Sequence, residues 1–187
     1  HFQMSIPAFR KTYSSVACEN KIIKQPDCSI KRIKKFKVAY LKFERTHRNK
    51  QAYSTLLGQI IEFAKKYNLT DKGFKYVSIS LDSLDITEID KCRFLIGVTV
   101  PYSMEIPKGF GTLNIRAGLY SVFNIKGNYQ ELNKIYRNIY LDWLPNSKYR
   151  LREQMTFELY ANTPDKTSTE ELMTEIYLPI EAKQKIK

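Results

Sequence analysis

Histidine is scarce in this chain: its 187 residues include two, His1 and His47, far apart and neither beside a cysteine. That leaves no Cys/His spacing for a zinc site. Cysteine is scarce too. Cys18, Cys28 and Cys92 are odd in number and form no CxxC pair, which reads as reduced thiols of a cytoplasmic protein rather than a disulfide framework. No stretch approaches the ~20 apolar residues of a membrane span, and His1 to Lys11 lacks the apolar h-region of a signal peptide. Neither a Gly-x-Ser-x-Gly elbow nor a Gly-rich phosphate loop occurs, and no local motif sets a histidine beside a nucleophile. The residues therefore nominate no catalytic group, no metal, no cofactor and no membrane partner.

Acid is short relative to base, with 19 Asp and Glu against 31 Lys and Arg, for a net charge of +12. The densest basic run is Lys31-Arg32-Ile33-Lys34-Lys35-Phe36-Lys37. It reads as a solvated strand or a lysine-guarded strand edge; the alternative is a phosphate-binding stripe. No nucleic-acid module motif accompanies it. With 43% hydrophobic and 27% charged residues, a globular core is available. The length suits one domain or a tightly fused pair of half-domains.

The internal pattern is a repeat. Tyr53, Leu56, Leu57, Ile60, Ile61 and Ala64 form one apolar helical stripe over about Gln51 to Tyr67, with Asn68 and Gly73 as stop signals. Leu132, Ile135, Tyr136, Ile139, Tyr140 and Trp143 repeat that spacing over about Tyr129 to Leu144, and Pro145 predicts the end. Phe36 to Phe43 precedes the first stripe, with Phe74 to Leu81 and Arg93 to Val100 after it. Leu113 to Ile125 precedes the second, followed by Met155 to Ala161 and Thr174 to Ile180. All are β-branched or aromatic-rich and bounded by turn formers. The pattern predicts an α+β fold of duplicated strand–helix–strand–strand units, with mainly antiparallel sheet and two main helices. The half-repeats run over about 29–103 and 109–181, with Ala117-Gly118 and the linker Pro101 to Gly109 marking their boundary.

Several stretches together resemble a known family. Gly109-Phe110-Gly111-Thr112-Leu113, then Ala117 to Phe123 and Gly127, resemble the opening of the second repeat in GyrI-like, or transcription-activator effector-binding, domains. Ile139 to Ser147 resembles their second helix, which commonly ends in Trp-Leu-Pro. Met155-Thr156-Phe157-Glu158-Leu159-Tyr160 is similar to their Phe-Glu-x-Tyr strand, and Glu175 to Ile180 to their closing strand. His1 to Lys11 resembles the end of the second helix-turn-helix unit of AraC-type regulators, with Gln3 where glycine is usual. The resemblance implies the SOUL-type effector-binding fold over 29–187. Residues 1–28 would be the end of an upstream DNA-binding region and its linker. It also implies a small lipophilic, often cationic ligand in a cleft where the halves meet, and contact with DNA only through that upstream region. Whether two copies pair into a homodimer stays open.

Alternation along Met155 to Ala161 puts Glu158 and Tyr160 on one strand face. If that strand pairs with the closing one, Tyr177 converges with them. A carboxylate among aromatic rings suits a lipophilic cation, because each ring adds ~0.5–2 kcal/mol of cation–π attraction. The plainer reading of Glu158 is a solvent-facing strand residue paired with lysine. The resemblance places the pocket acid there. Tyr160 and Tyr177 are equally pocket wall or plain packing. Tyr140 and Trp143 lie on the helix stripe and can be core, cleft border or both. Tyr40 and Phe94 are candidates for the opposite wall. The favoured expectation is a non-catalytic sensor domain of a transcriptional regulator. The alternatives are a stand-alone gyrase-inhibitor-type interaction protein and a hydrolase of a strained small molecule using Glu158 as base.

Overall fold

The computed structural model describes residues 27–44, 52–82, 93–162 and 167–183. Nine strands lie among them: β1 (Asp27–Ile33), β2 (Phe36–Glu44), β3 (Tyr76–Ser80), β4 (Arg93–Val100), β5 (Gly111–Ile115), β6 (Gly118–Lys126), β7 (Tyr149–Leu151), β8 (Phe157–Tyr160) and β9 (Met173–Ala182). Helix α1 (Ala52–Lys66) lies between β2 and β3, and α2 (Leu132–Asn138) between β6 and β7. After α1 the chain turns through Asn68 and Gly73, both at positive φ, as the stop signals require. Helix α2 runs on through a π-helical stretch, Ile139–Trp143, and a last turn, Leu144–Asn146. Pro145 therefore does not end the helix before itself. It sits in the final turn, with Leu144 still helical in front of it, where its missing N–H costs little more than a frayed end.

The sheet order is β1-β6-β9-β8-β3-β4-β2-β5, with β7 on β9, and every pairing is antiparallel. This order reads the same in each half about the β8–β3 junction. β2, β4 and β3 surround α1 in sequence as β6, β9 and β8 surround α2. The first strand of each set is exchanged: β1 pairs with β6, and β5 with β2. The stretch expected as one strand from Leu113 to Ile125 is thus two strands, bent at Arg116-Ala117.

β4, β6 and β9 are buried on both faces over most of their length, which explains their near-continuous apolar runs, whereas β3 and β8 alternate. One face closes over an interior formed by Val38, Val77, Ile79, Ile115, Tyr120, Phe157 and neighbours. The sheet curls enough for Phe36 of β2 to meet Phe157 of β8 edge-on at 5.4 Å, although β3 and β4 lie between them in the sheet. The other face carries both helices. α1 buries Ile60, Phe63 and Ala64 against Ala39, Ile96 and Val98. α2 buries Leu132, Ile135 and Ile139 against Phe123, Ile176 and Leu178. Each helix docks on its own half-sheet; the second stripe packs as read from the sequence, whereas in the first Phe63 takes a core place and Ile61 stays half-buried outside the core cluster.

The basic run occupies the edge strand β1, which is largely exposed, and the turn into β2. Among the cysteines, Cys28 is a free, exposed thiol on β1; Cys18 and Cys92 lie outside the described residues, as do His1, His47 and the residues compared with an upstream region. No helix among the described residues is long and apolar enough to cross a membrane.

Candidate functional site

β8 alternates cleanly: Phe157 and Leu159 are buried in the curled interior, so Glu158 and Tyr160 must face the helices. Register fixes their neighbours. Glu158 stands opposite Ile176 on β9 and Ser78 on β3, and Ser78 stands opposite Ile96. Ile176 belongs to the core under α2 and Ile96 to the core under α1. The carboxylate therefore lies on the seam between the two helix-covered halves, at the centre of the sheet. Tyr160 stands beside it, opposite Tyr76 and Thr174.

Helix α2 supplies the other wall. Tyr136 and the Tyr140 that follows one turn later present near-parallel rings, 6.3 Å apart and 16° from coplanar. The Tyr136 hydroxyl donates to Glu158 Oε1 at 2.8 Å, and the Tyr160 hydroxyl donates to Oε2 at 2.5 Å. Tyr140 Oη lies 3.4 Å from Thr156 Oγ1. Tyr129, just before α2, packs its edge against the Tyr160 ring at 5.2 Å. Each carboxylate oxygen thus meets one phenol, and the two phenols are backed by further rings, Tyr160 by Tyr129 and Tyr136 by Tyr140. Among the described residues no basic side chain pairs with Glu158.

The electrostatics follow from that geometry. Burial pushes the Glu158 carboxyl above its ordinary range, and the hydrogen bonds from Tyr160 and Tyr136 pull it back only in part. Tyr136 is held well above the usual phenol value, first by burial and then by the negative charge of Glu158. Burial also raises Tyr140. A carboxylate without a counter-ion, in surroundings that disfavour its charge, gains from any cation brought to it.

The other expected residues lie elsewhere. The convergence of Tyr177 with Glu158 does not occur. Tyr177 stands opposite Phe157, one register step away, so its ring faces the interior, stacked on Phe157 at 4.7 Å and 8°, and its hydroxyl donates to Glu175 at 3.1 Å. A single step along a strand exchanges its two faces. Tyr40 also packs against the interior core, and a Cβ added to Gly111 would strike its ring. Trp143 is half-buried in the core under α2, edge-on to Phe123 at 5.0 Å and parallel to Tyr149 at 6.5 Å. Phe94 lies in the core under α1, stacked on Phe43 at 6.4 Å. Of the expected set, the fold gathers Glu158, Tyr160 and Tyr140. Tyr136, Tyr129, Tyr76 and Ser78 join them and were not singled out from the sequence. Tyr136 was legible as a stripe position, but a stripe position predicts core before it predicts a carboxylate contact. No group of acids, cysteines or histidines among the described residues could hold a metal ion.

Residues 26–181 match the family model described as the GyrI-like small molecule binding domain. No curated protein matches the chain in sequence comparison. Among solved structures, the C-terminal domain of EcmrR is similar over 84% of this chain and 99% of that one, at 19% identity and a TM-score of 0.68. EcmrR in a complex with DNA is similar over 87% of this chain, which spans 60% of that longer one, at 18% identity and a TM-score of 0.67. SAV2435 bound to tetraphenylphosphonium is similar over 83% of this chain and 94% of that one, at 18% identity and a TM-score of 0.54. At these identities the structural likenesses establish the fold alone.

Proposed function

Because the chain belongs to the GyrI-like small molecule binding domain family, we propose that it is the effector-binding sensor of a transcriptional regulator and that it takes a lipophilic cation at Glu158. The observation that carries this reading is a carboxylate that pairs with no basic side chain among the described residues and is held by Tyr136 and Tyr160, themselves backed by Tyr140 and Tyr129. The phenol donors favour the ionised acid and hold it in one orientation. The rings offer apolar area and π-faces, each worth ~0.5–2 kcal/mol toward a cation. A neutral ligand of the same shape gains the area but leaves the buried charge unanswered. The occurrence of tetraphenylphosphonium in the similar SAV2435 structure agrees with this chemistry, and the likeness to EcmrR in its DNA complex supports the regulatory setting.

A cation reaching the carboxylate must displace or share the Tyr136 hydroxyl, and Tyr136 and Tyr140 both stand on the α2 segment that runs into the π-helical stretch. Such stretches are local adjustments of the helix ladder and are frequent at functional sites. Ligand entry would therefore act on α2 first. Calorimetric titration with tetraphenylphosphonium and with neutral triphenylphosphine oxide tests the reading. The expected result is preference for the cation, lost by tenfold or more, about 1.4 kcal/mol, in Glu158→Gln. Equal affinity of wild type and Glu158→Gln for the cation would refute it.

A further inference from the structure

The exchanged strands create a second charged feature at the far side of the fold from the seam. β1 pairs with β6 from Asp27↔Asn124 to Ile33↔Gly118, and β2 pairs with β5 from Phe36↔Ile115 to Tyr40↔Gly111. The two ladders share one register. They are a single two-stranded ribbon, interrupted where Lys34-Lys35 faces Arg116-Ala117 as the chain passes from one half-sheet to the other. The register carried across that gap sets Lys35 opposite Arg116.

Lys34, Lys35, Arg116 and the preceding Arg32 are all exposed. Among the described residues no carboxylate pairs with any of them. Past Asp27 at its outer end the ribbon is free of acids: no Asp or Glu occurs from Cys28 to Phe43 or from Gly111 to Lys126. Acids from other segments reach its outer part, Glu175 at 3.7 Å from Lys31 and Glu171 at 2.7 Å from Lys126, and not the bend. Like charges opposite one another on a ribbon are destabilising, so the fold carries a cost here that plain solubility does not require.

Two further cations add to the field. Lys37 is held by the carbonyls of Met104 at 2.8 Å and Tyr102 at 3.5 Å, and Lys35 lies over the exposed Tyr102 ring at 5.5 Å. Arg152 lies beneath the bend, 5.1 Å from the Tyr120 ring centroid. Its Nε and Nη2 are buried without a hydrogen-bond partner. Tyr120 in turn donates to the Arg116 carbonyl at 3.1 Å. The bend is thus fixed in place, and among the described residues no carboxylate pairs with Lys34, Lys35, Arg116 or Arg32.

We infer that this bent ribbon is a docking surface for the phosphate backbone of duplex nucleic acid, separate from the Glu158 site. Several exposed monocations along a stiff, curved ribbon match a linear polyanion, whose affinity comes from counter-ion release at each phosphate. An anionic bilayer would ask for an apolar anchoring face; of the five exposed large apolar side chains among the described residues, Ile30 lies on β1 and Tyr102 under Lys35, whereas Leu141, Met155 and Met173 belong to other segments.

The test is fluorescence anisotropy of a short labelled duplex of arbitrary sequence with the full chain. Four phosphate contacts predict an affinity that falls about a hundredfold between about 50 and 200 mM salt. Lys34→Glu/Lys35→Glu/Arg116→Glu should abolish binding. Lys65→Glu/Lys72→Glu/Lys148→Glu, equal in net charge but placed elsewhere, should lower it only slightly. The milder Lys34→Gln/Lys35→Gln/Arg116→Gln should flatten the salt dependence, with thermal melting confirming that each variant folds. Glu158→Gln should bind duplex like wild type. Equal losses in the two charge-reversed variants would overturn the inference, because they would show bulk charge at work. So would binding to phosphatidylglycerol vesicles without binding to duplex, or no duplex binding by wild type at low salt.

Discussion

Replacing Glu158 by glutamine should shift relative stability in favour of the variant as pH rises, while removing the affinity for cations. The carboxyl is raised above its ordinary value by burial, so the native chain holds this proton more tightly than the unfolded chain. Between the ordinary carboxylate value and the raised one, the native state binds more protons, and stability falls as pH rises through that window. Below it the acid is neutral in both states and costs nothing. Above it the acid is ionised in both and the full penalty applies. Each unit of displacement is worth about 1.4 kcal/mol. Glutamine removes that penalty but offers one acceptor to two phenols, Tyr136 and Tyr160, and a phenol left without a partner costs about 1–3 kcal/mol. A domain of this size moves by about 2–4 °C in Tm per kcal/mol. Thermal melting of both proteins from acid to neutral pH should therefore show the difference between them moving in favour of the glutamine variant as pH rises. A variant that is less stable than wild type by the same margin at every pH would refute the claim that the charge is desolvated.

Tyr136→Phe keeps the ring but removes a donor to the carboxylate, so the pH midpoint for cation binding should move to higher pH, as a titration series across pH would show. Tyr177→Phe should leave cation affinity unchanged, because its ring faces the interior, whereas Tyr160→Phe should weaken it severalfold in the same calorimetric assay. Gly97→Ala would drive a Cβ into the Ala39 carbonyl and should cost about 1–3 kcal/mol in urea unfolding, as overpacked positions do. Gly58→Ala, in open space on α1, should instead gain about 0.5–1 kcal/mol.

Much of this molecule is written locally. The two apolar stripes, the strands around them and the shared face of Glu158 and Tyr160 follow from periods of 3.6 and 2, which depend on backbone geometry alone. Acid-free ribbon segments and the missing metal-ligand spacings are likewise plain in the residue order. Register is different. Alternation says which side chains of one strand share a face, but the pairing partner decides what stands beside them. Tyr177 was misplaced for that reason: β9 meets β8 with Ile176, not Tyr177, opposite Glu158. The contact from Tyr136 to the carboxylate also needed the docking of α2, since a stripe residue can end in a core or over a polar group with the same spacing. So did the exchange of β1 and β5 between halves, which joins two lysine- and arginine-bearing turns into one cationic bend. Packing between distant segments settles these choices, because the energy that selects a register is spread over both strands and the layers on each face, and no single stretch of chain contains it.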